Sequence, residues 1–329
     1  MTGRRWLVAV AGLALSAGAL WIVLQTVDVA EAAAVLGRAQ VLPLLGILGV
    51  VAVQAVVRAV RWSVVMPPRV DGTRAPWHRL LPPMLVGYLG NAILPARLGE
   101  PMRAVVAARR ERIGTAESLG SVLVERLVDI AMLAVVAFAA ALLVGGPAWT
   151  IQLLGFAAAA GVAGMVLLLT VGLGPVLWVA DRLGLTRRAG VRDAIARFVA
   201  TVGGPSRRRA LLGATGLSIV AWLLDAGSFW LAATAVGVDL PYAAAMLISG
   251  VSVLGTAVPS APGYVGTFEL AAAGTAGALG VPAAEALALA IVVHVMTLVP
   301  LALGGAVSLV AMGASFGDAV HEAERTRGV

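Results

Sequence analysis

The sequence predicts an all-α, polytopic membrane protein: six full spans plus two re-entrant helix pairs, arranged as an inverted repeat. Three observations predict it. The 329 residues are 60% hydrophobic and only 12% charged, against about 25% charged in a soluble domain, and the mean hydropathy is +0.96. Apolar runs long enough to cross a bilayer recur along the chain. Two segments, 87–104 and 259–269, combine prolines, glycines and ionisable residues inside otherwise apolar sequence, where broken backbone is tolerated only if protein or cavity water surrounds it.

The net charge is +7, and all 24 basic residues are arginine. They fall in short loops between apolar runs, so they read as topology signals rather than a nucleic-acid surface. The chain has no cysteine, which excludes disulfides and thiol chemistry. His78, His294 and His321 are far apart in sequence, so no metal site is expected. No nucleophile–base pair or nucleotide loop is visible and no cofactor is implied, so the expectation is a non-enzyme.

In chain order, Arg4 and Arg5 precede a first span from Trp6 to Val27. It is longer than the apolar core of a signal peptide and is expected to be retained. Asp28 can cap a short helix over 28–40, with Glu31 three residues on. Val41 to Val65 forms the second span. Near its end stand Arg58, Arg61 and Trp62. They either reach the headgroups as an interface anchor or hold a lipid phosphate. A basic loop, 66–80, leads into the segment GYLGNAILPARLGEPMRA. There Pro95 and Pro101 break the helix ladder amid Asn91, Arg97, Gly99, Glu100 and Arg103.

The third span runs from Leu119 to Val144 and carries Glu125, Arg126 and Asp129. Glu125 and Asp129 share a helix face. They are either a self-neutralising ion pair with Arg126 or, the favoured reading, a charged wall facing Arg97 and Arg103, because intramembrane charges turn inward. The fourth span follows from about Trp149 to Val179. Residues 181–209 hold eight arginines and read either as an interfacial helix on anionic lipid or as a solvated loop. The fifth span, Ala210 to Val236, holds Asp225 near its middle, a functional candidate that could equally be protonated or paired.

Residues 242–280 form the second broken segment, with Pro259, Pro262, Gly263, Gly266 and Glu269. Its Ala/Gly-rich end suits close helix packing. The sixth span is Ala283 to Met312, and 313–329 is a polar tail.

The arginine bias places both termini in the cytoplasm of a multi-pass cell-membrane protein. This holds only if 81–112 enters and leaves on the cytoplasmic side and 242–280 on the other. The chain is then one transmembrane domain with repeat halves at about 5–145 and 149–312. Interrupted helices in matching positions of inverted halves point to a transporter's midplane site.

At these residues the chain resembles the flippase-like transmembrane region of lysylphosphatidylglycerol synthases and its stand-alone relatives. The motifs are Arg58-x-x-Arg61-Trp62, Asn91-x-x-x-Pro95-x-Arg97-x-Gly99-Glu100-x-x-Arg103, Glu125-Arg126-x-x-Asp129, and Pro259-x-x-Pro262-Gly263-x-x-Gly266-x-x-Glu269. The resemblance runs from about residue 5 to 312 and implies a lipid-translocating bundle with two re-entrant elements around a cavity. Tyr264 stands where relatives often repeat glycine. The aminoacyl-transferase domain of full-length synthases is not in the sequence, so aminoacyl-lipid synthesis is not implied.

The expected function is translocation of an anionic phospholipid or lipid-linked sugar. The expected substrate-binding residues are Asn91, Arg97, Glu100, Arg103, Glu125, Arg126, Asp129 and Glu269, with hinges at Pro95, Gly99, Pro259, Pro262, Gly263 and Gly266. Two alternatives stay open: a secondary transporter of a small soluble solute, and an accessory presenting lipid to a membrane enzyme. Expected partners are membrane lipids, and a homo-oligomer or a glycosyltransferase or lipid-synthase partner fits the same reading.

Overall fold

The protein is described from a computed structural model, which describes residues 3–94, 97–146, 148–170, 178, 182, 205–256 and 260–313. It is an all-α polytopic membrane protein, with no strand among the described residues. The helices are α1 (Gly3–Thr26), α2 (Val29–Gly37), α3 (Val41–Val65), α4 (Trp77–Ile93), α5 (Gly99–Glu111), α6 (Thr115–Val144), α7 (Ala148–Thr170), α8 (Pro205–Ala235), α9 (Tyr242–Gly255), α10 (Thr267–Ala278) and α11 (Ala283–Ala311).

Among the described residues, five helices are long and apolar enough to cross a bilayer, or six if the bent pair α1–α2 counts as one span. The 85° bend between α1 and α2 falls at Asp28. Its carboxylate accepts from the Ala30 and Glu31 amides at 2.8 and 3.3 Å and so caps α2. The interfacial helix expected within 181–209 lies outside the described residues, apart from Arg182 and the first turn of α8. That turn opens on Pro205 and carries the exposed Arg208 and Arg209. The tail beyond 313 lies outside the described residues too.

α4 and α5 form a hairpin. At 17 and 13 residues they reach about 26 and 20 Å, short of a bilayer core of about 30 Å. Both outer ends lie on one side, because Glu111 at the end of α5 accepts from Arg69 and, at 3.0 Å, from Arg79 in the first turn of α4. The helices touch through glycine: a Cβ on Gly90 would stand 2.8 Å from the Gly99 Cα. α9 and α10, of 14 and 12 residues, make a second short hairpin, with Gly255 against Ala271.

α6 runs past both hairpins. Its start meets α5, where the Ser118 hydroxyl donates to the Ala104 carbonyl at 2.7 Å. Its end packs with Leu247 of α9 and Leu279 after α10. The hairpin bases therefore lie toward opposite ends of α6, and the tips meet near its middle. α3 and α8 pack side by side through the centre. One apolar cluster gathers round Trp62, Leu80 and Val128, and another round Ile47, Phe229 and Leu289.

Candidate functional site

The site lies where the hairpin tips meet. Arg97, at the first tip, has φ +55°, a left-handed conformation costing a side-chain-bearing residue roughly 1–2 kcal/mol. Its guanidinium donates to the Thr256 carbonyl at 2.6 Å and to the Thr256 hydroxyl at 3.1 Å. It also lies 5.4 Å from the ring centroid of Tyr264, the second tip's own left-handed residue, at φ +62°. Among the described residues, no carboxylate forms an ion pair with Arg97.

Behind Arg97 stands a continuous ionic network. Arg61 of α3 pairs with Asp129 and, at 2.6 Å, with Glu125, and donates to Ser218 at 3.0 Å. Glu125 also pairs with Arg103 at 2.8 Å. Arg103 reaches Glu100 at 2.9 Å, and Glu100 reaches Arg126 at 2.6 Å. Arg126 closes the circuit on Asp129 at 3.4 Å. Three arginines thus face three carboxylates, the pairing that buried charges need. Asn91 ties the hairpin to this network: its carbonyl oxygen accepts the Gly99 amide at 3.0 Å, and its amide faces Glu100 at 3.5 Å.

A cavity of about 250 Å³ opens in front of the network. Asn91, Arg97, Glu100, Arg126 and Asp129 line it, together with Arg58 and Asp225. Arg58 stands 4.0 Å from Asp225 and 5.1 Å over the Trp222 ring. Asp225 accepts from Gln54 at 2.9 Å and from Ser249 at 2.6 Å. The remaining wall is largely apolar, with Leu133, Phe229 and Leu298. Ile130 lines the cavity and is also 53% exposed on the outer face of α6.

Several expected placements are corrected. Arg61 and Trp62 are neither interface anchors nor open to a lipid phosphate: both are buried, Arg61 at 1% exposure, and the Trp62 indole donates to Ser121 at 3.0 Å. Desolvated charge and the available acids on α6 draw Arg61 inward. Arg103 and Glu125 are buried behind the cavity wall rather than on it. Glu269 contacts no arginine among the described residues. Its carboxylate accepts the Gly266 amide at 2.7 Å and meets His294. Gly99 packs inside the first hairpin, Pro262 and Gly263 form a 3-10 turn, and Gly266 caps α10. Pro95 and Pro259 lie outside the described residues.

Gln54, Tyr88, Trp222, Thr256, Tyr264 and His294 also line the cavity and were not singled out as site residues from the sequence. Gln54 and His294 each left one signal, a polar residue near the middle of an apolar span.

Comparison with known proteins places the chain in context. A glycosyltransferase, AglD, of Haloferax volcanii is 28% identical over 366 aligned positions, covering 97% of this chain and 56% of that protein. The chain therefore spans little more than half of that relative's length. No solved structure matches. The family model described as the lysylphosphatidylglycerol synthase TM region matches residues 9–305, and the chain belongs to that family.

Proposed function

We propose that the protein translocates an anionic lipid, a phospholipid or a lipid-linked sugar, between the leaflets of the cell membrane, with both termini in the cytoplasm. The observation that carries this reading is Arg97: a cation on a cavity inside the bundle, held by a carbonyl, a hydroxyl and a ring instead of a carboxylate. A phosphate supplies the missing counter-charge, and a guanidinium fork suits it. A headgroup needs such replacement of its hydration because bare charge is costly in hydrocarbon.

The cavity is smaller than the roughly 300–1,000 Å³ of drug-sized pockets. It suits a headgroup whose acyl chains stay in the bilayer, and Ile130 marks a side where the cavity wall reaches the lipid-facing surface. The network from Arg61 to Arg126 holds Glu100 and Asp129 in place, and motion of the two tips exposes the site to each side in turn. Similarity to a protein named as a glycosyltransferase keeps a lipid-linked sugar among the cargoes and such an enzyme among the partners.

The test is reconstitution in liposomes with a fluorescent phosphatidylglycerol. A charge-assisted hydrogen bond is worth about 1.5–3 kcal/mol, so Arg97→Ala is expected to slow translocation by roughly 10- to 150-fold, with Arg97→Lys between it and the native protein. Native-like rates in both Arg97→Ala and Glu100→Ala would refute the assignment. Lipid bound by the native protein but never moved would favour the lipid-presenting accessory.

A further inference from the structure

Glu269 and His294 form a pair that the proposed lipid site does not use. His294 lines the cavity from α11. Its Nε2 lies 2.7 Å from the Gly263 carbonyl and its Nδ1 faces Glu269 Oε1, while Glu269 Oε2 accepts the Gly266 amide. A carbonyl only accepts, so Nε2 carries a hydrogen. The contact between Nδ1 and Oε1 then needs one more proton, on either atom. With that proton the pair is neutral. Without it, a lone pair faces a carboxylate, the net charge is −1, and the contact becomes repulsive.

The pair also fastens the second hairpin tip. Gly263 and Gly266 flank Tyr264, whose ring stacks on Arg97. Other ionisable groups on the same cavity are already engaged: Glu100 with Arg103 and Arg126, Asp129 with Arg61 and Arg126, and Asp225 with Gln54, Ser249 and Arg58. Tyr88 lies 3.4 Å from Arg58. Glu285 stands at the start of α11, and Glu31, on α2 beside α11, is exposed.

We propose that Glu269 and His294 are a proton-binding site that couples translocation to the proton gradient. The inference rests on the lipid reading above. A proton taken from water on one side neutralises the pair, closes the tip and leaves Arg97 free to take the anion. Its release to the other side leaves a negative charge on the Glu269–His294 pair at the cavity wall, loosens the tip and expels the anion. One proton then crosses with one singly charged lipid, and no bond other than N–H or O–H is made or broken.

The test uses the full chain in liposomes with fluorescent phosphatidylglycerol, an imposed pH gradient and a potential clamped with potassium and valinomycin. At one-to-one coupling, a one-unit gradient sustains about a tenfold asymmetry of probe between leaflets, insensitive to the clamped potential. His294→Gln retains a donor for the Gly263 carbonyl but cannot titrate, so it is expected to lose the gradient response, as is Glu269→Gln. Probe that moves without regard to the gradient, or a response that survives in both variants, overturns the coupling and leaves the lipid reading standing. If no probe moves, the lipid reading falls and the coupling with it. The pair itself is then read separately by ¹⁵N NMR of the imidazoles, with His294→Gln to assign the signal. A His294 signal unaffected by Glu269→Gln removes the shared proton as well.

Discussion

Replacing Arg61 with methionine tests whether the ionic network holds the bundle together. Arg61 is almost wholly buried and serves Glu125, Asp129 and Ser218. Removing one partner of a buried ion pair costs about 3–5 kcal/mol. Here Glu125 keeps Arg103 at 2.8 Å and Asp129 keeps Arg126 at 3.4 Å, so the lower end, about 3 kcal/mol, is expected. Asp129→Asn removes part of the same penalty, so the double variant should show a coupling of about 1–3 kcal/mol. Equilibrium unfolding in mixed micelles, followed by tryptophan fluorescence, reads both. Trp62 and Trp222 adjoin the network, the second through its bond to the Asp129 carbonyl at 3.1 Å. A loss below about 1 kcal/mol, or additivity of the two substitutions, would show that the network does not carry the load assigned to it.

Three further outcomes follow. Gly99→Ala drives a Cβ into the Gly87 carbonyl and the Asn91 amide; it should cost about 3 kcal/mol or more and expose the α4–α5 hairpin to protease. Gly266→Ala combines a φ of +90° with a clash against the Ser16 carbonyl, so it should lower the melting temperature more than Gly237→Ala, which has a similar φ and open space around it. Asp71 accepts from the Thr73 hydroxyl at 2.6 Å and the Thr73 amide at 2.9 Å, which hold its carboxyl below the ordinary value of 3.8. A carboxyl lowered on folding stabilises above its unfolded pKa and loses that contribution as pH falls through the folded one. The 69–73 turn should therefore loosen below about pH 3.8, read as faster exchange of the Thr73 amide, and Asp71→Asn should remove the pH dependence.

Much of the fold was legible because intramembrane polarity is informative. The span 41–65 has the expected bounds, 119–144 begins four residues earlier, at Thr115, and 283–312 ends one residue sooner, at Ala311. The breaks around Arg97 and Gly263 were visible because proline, glycine and charge coincide there. The partners of the charged residues were not. Arg61 stands near a span end, where reaching the headgroups is the ordinary outcome, and only the rotation of α3 against α6 turns it inward. Arg97 was expected to face the acids of α6 but instead spans to the other hairpin. That contact joins residues 159 positions apart, beyond what periodicity within one helix can express. His294 does not stand out as a site residue in the sequence because its partners lie on α10 and the preceding turn.

The anchoring of α1 has a consequence for biosynthesis. The Ser16 hydroxyl accepts the Ala261 amide at 2.8 Å across 245 positions, and Gly12 lies against the Ser260 carbonyl. At about 5–20 residues per second on the ribosome, roughly 12–50 s pass between the emergence of the two. The first helix made is thus among the last to find its seat, and an early-inserted α1 must wait in the lipid with its docking face bare.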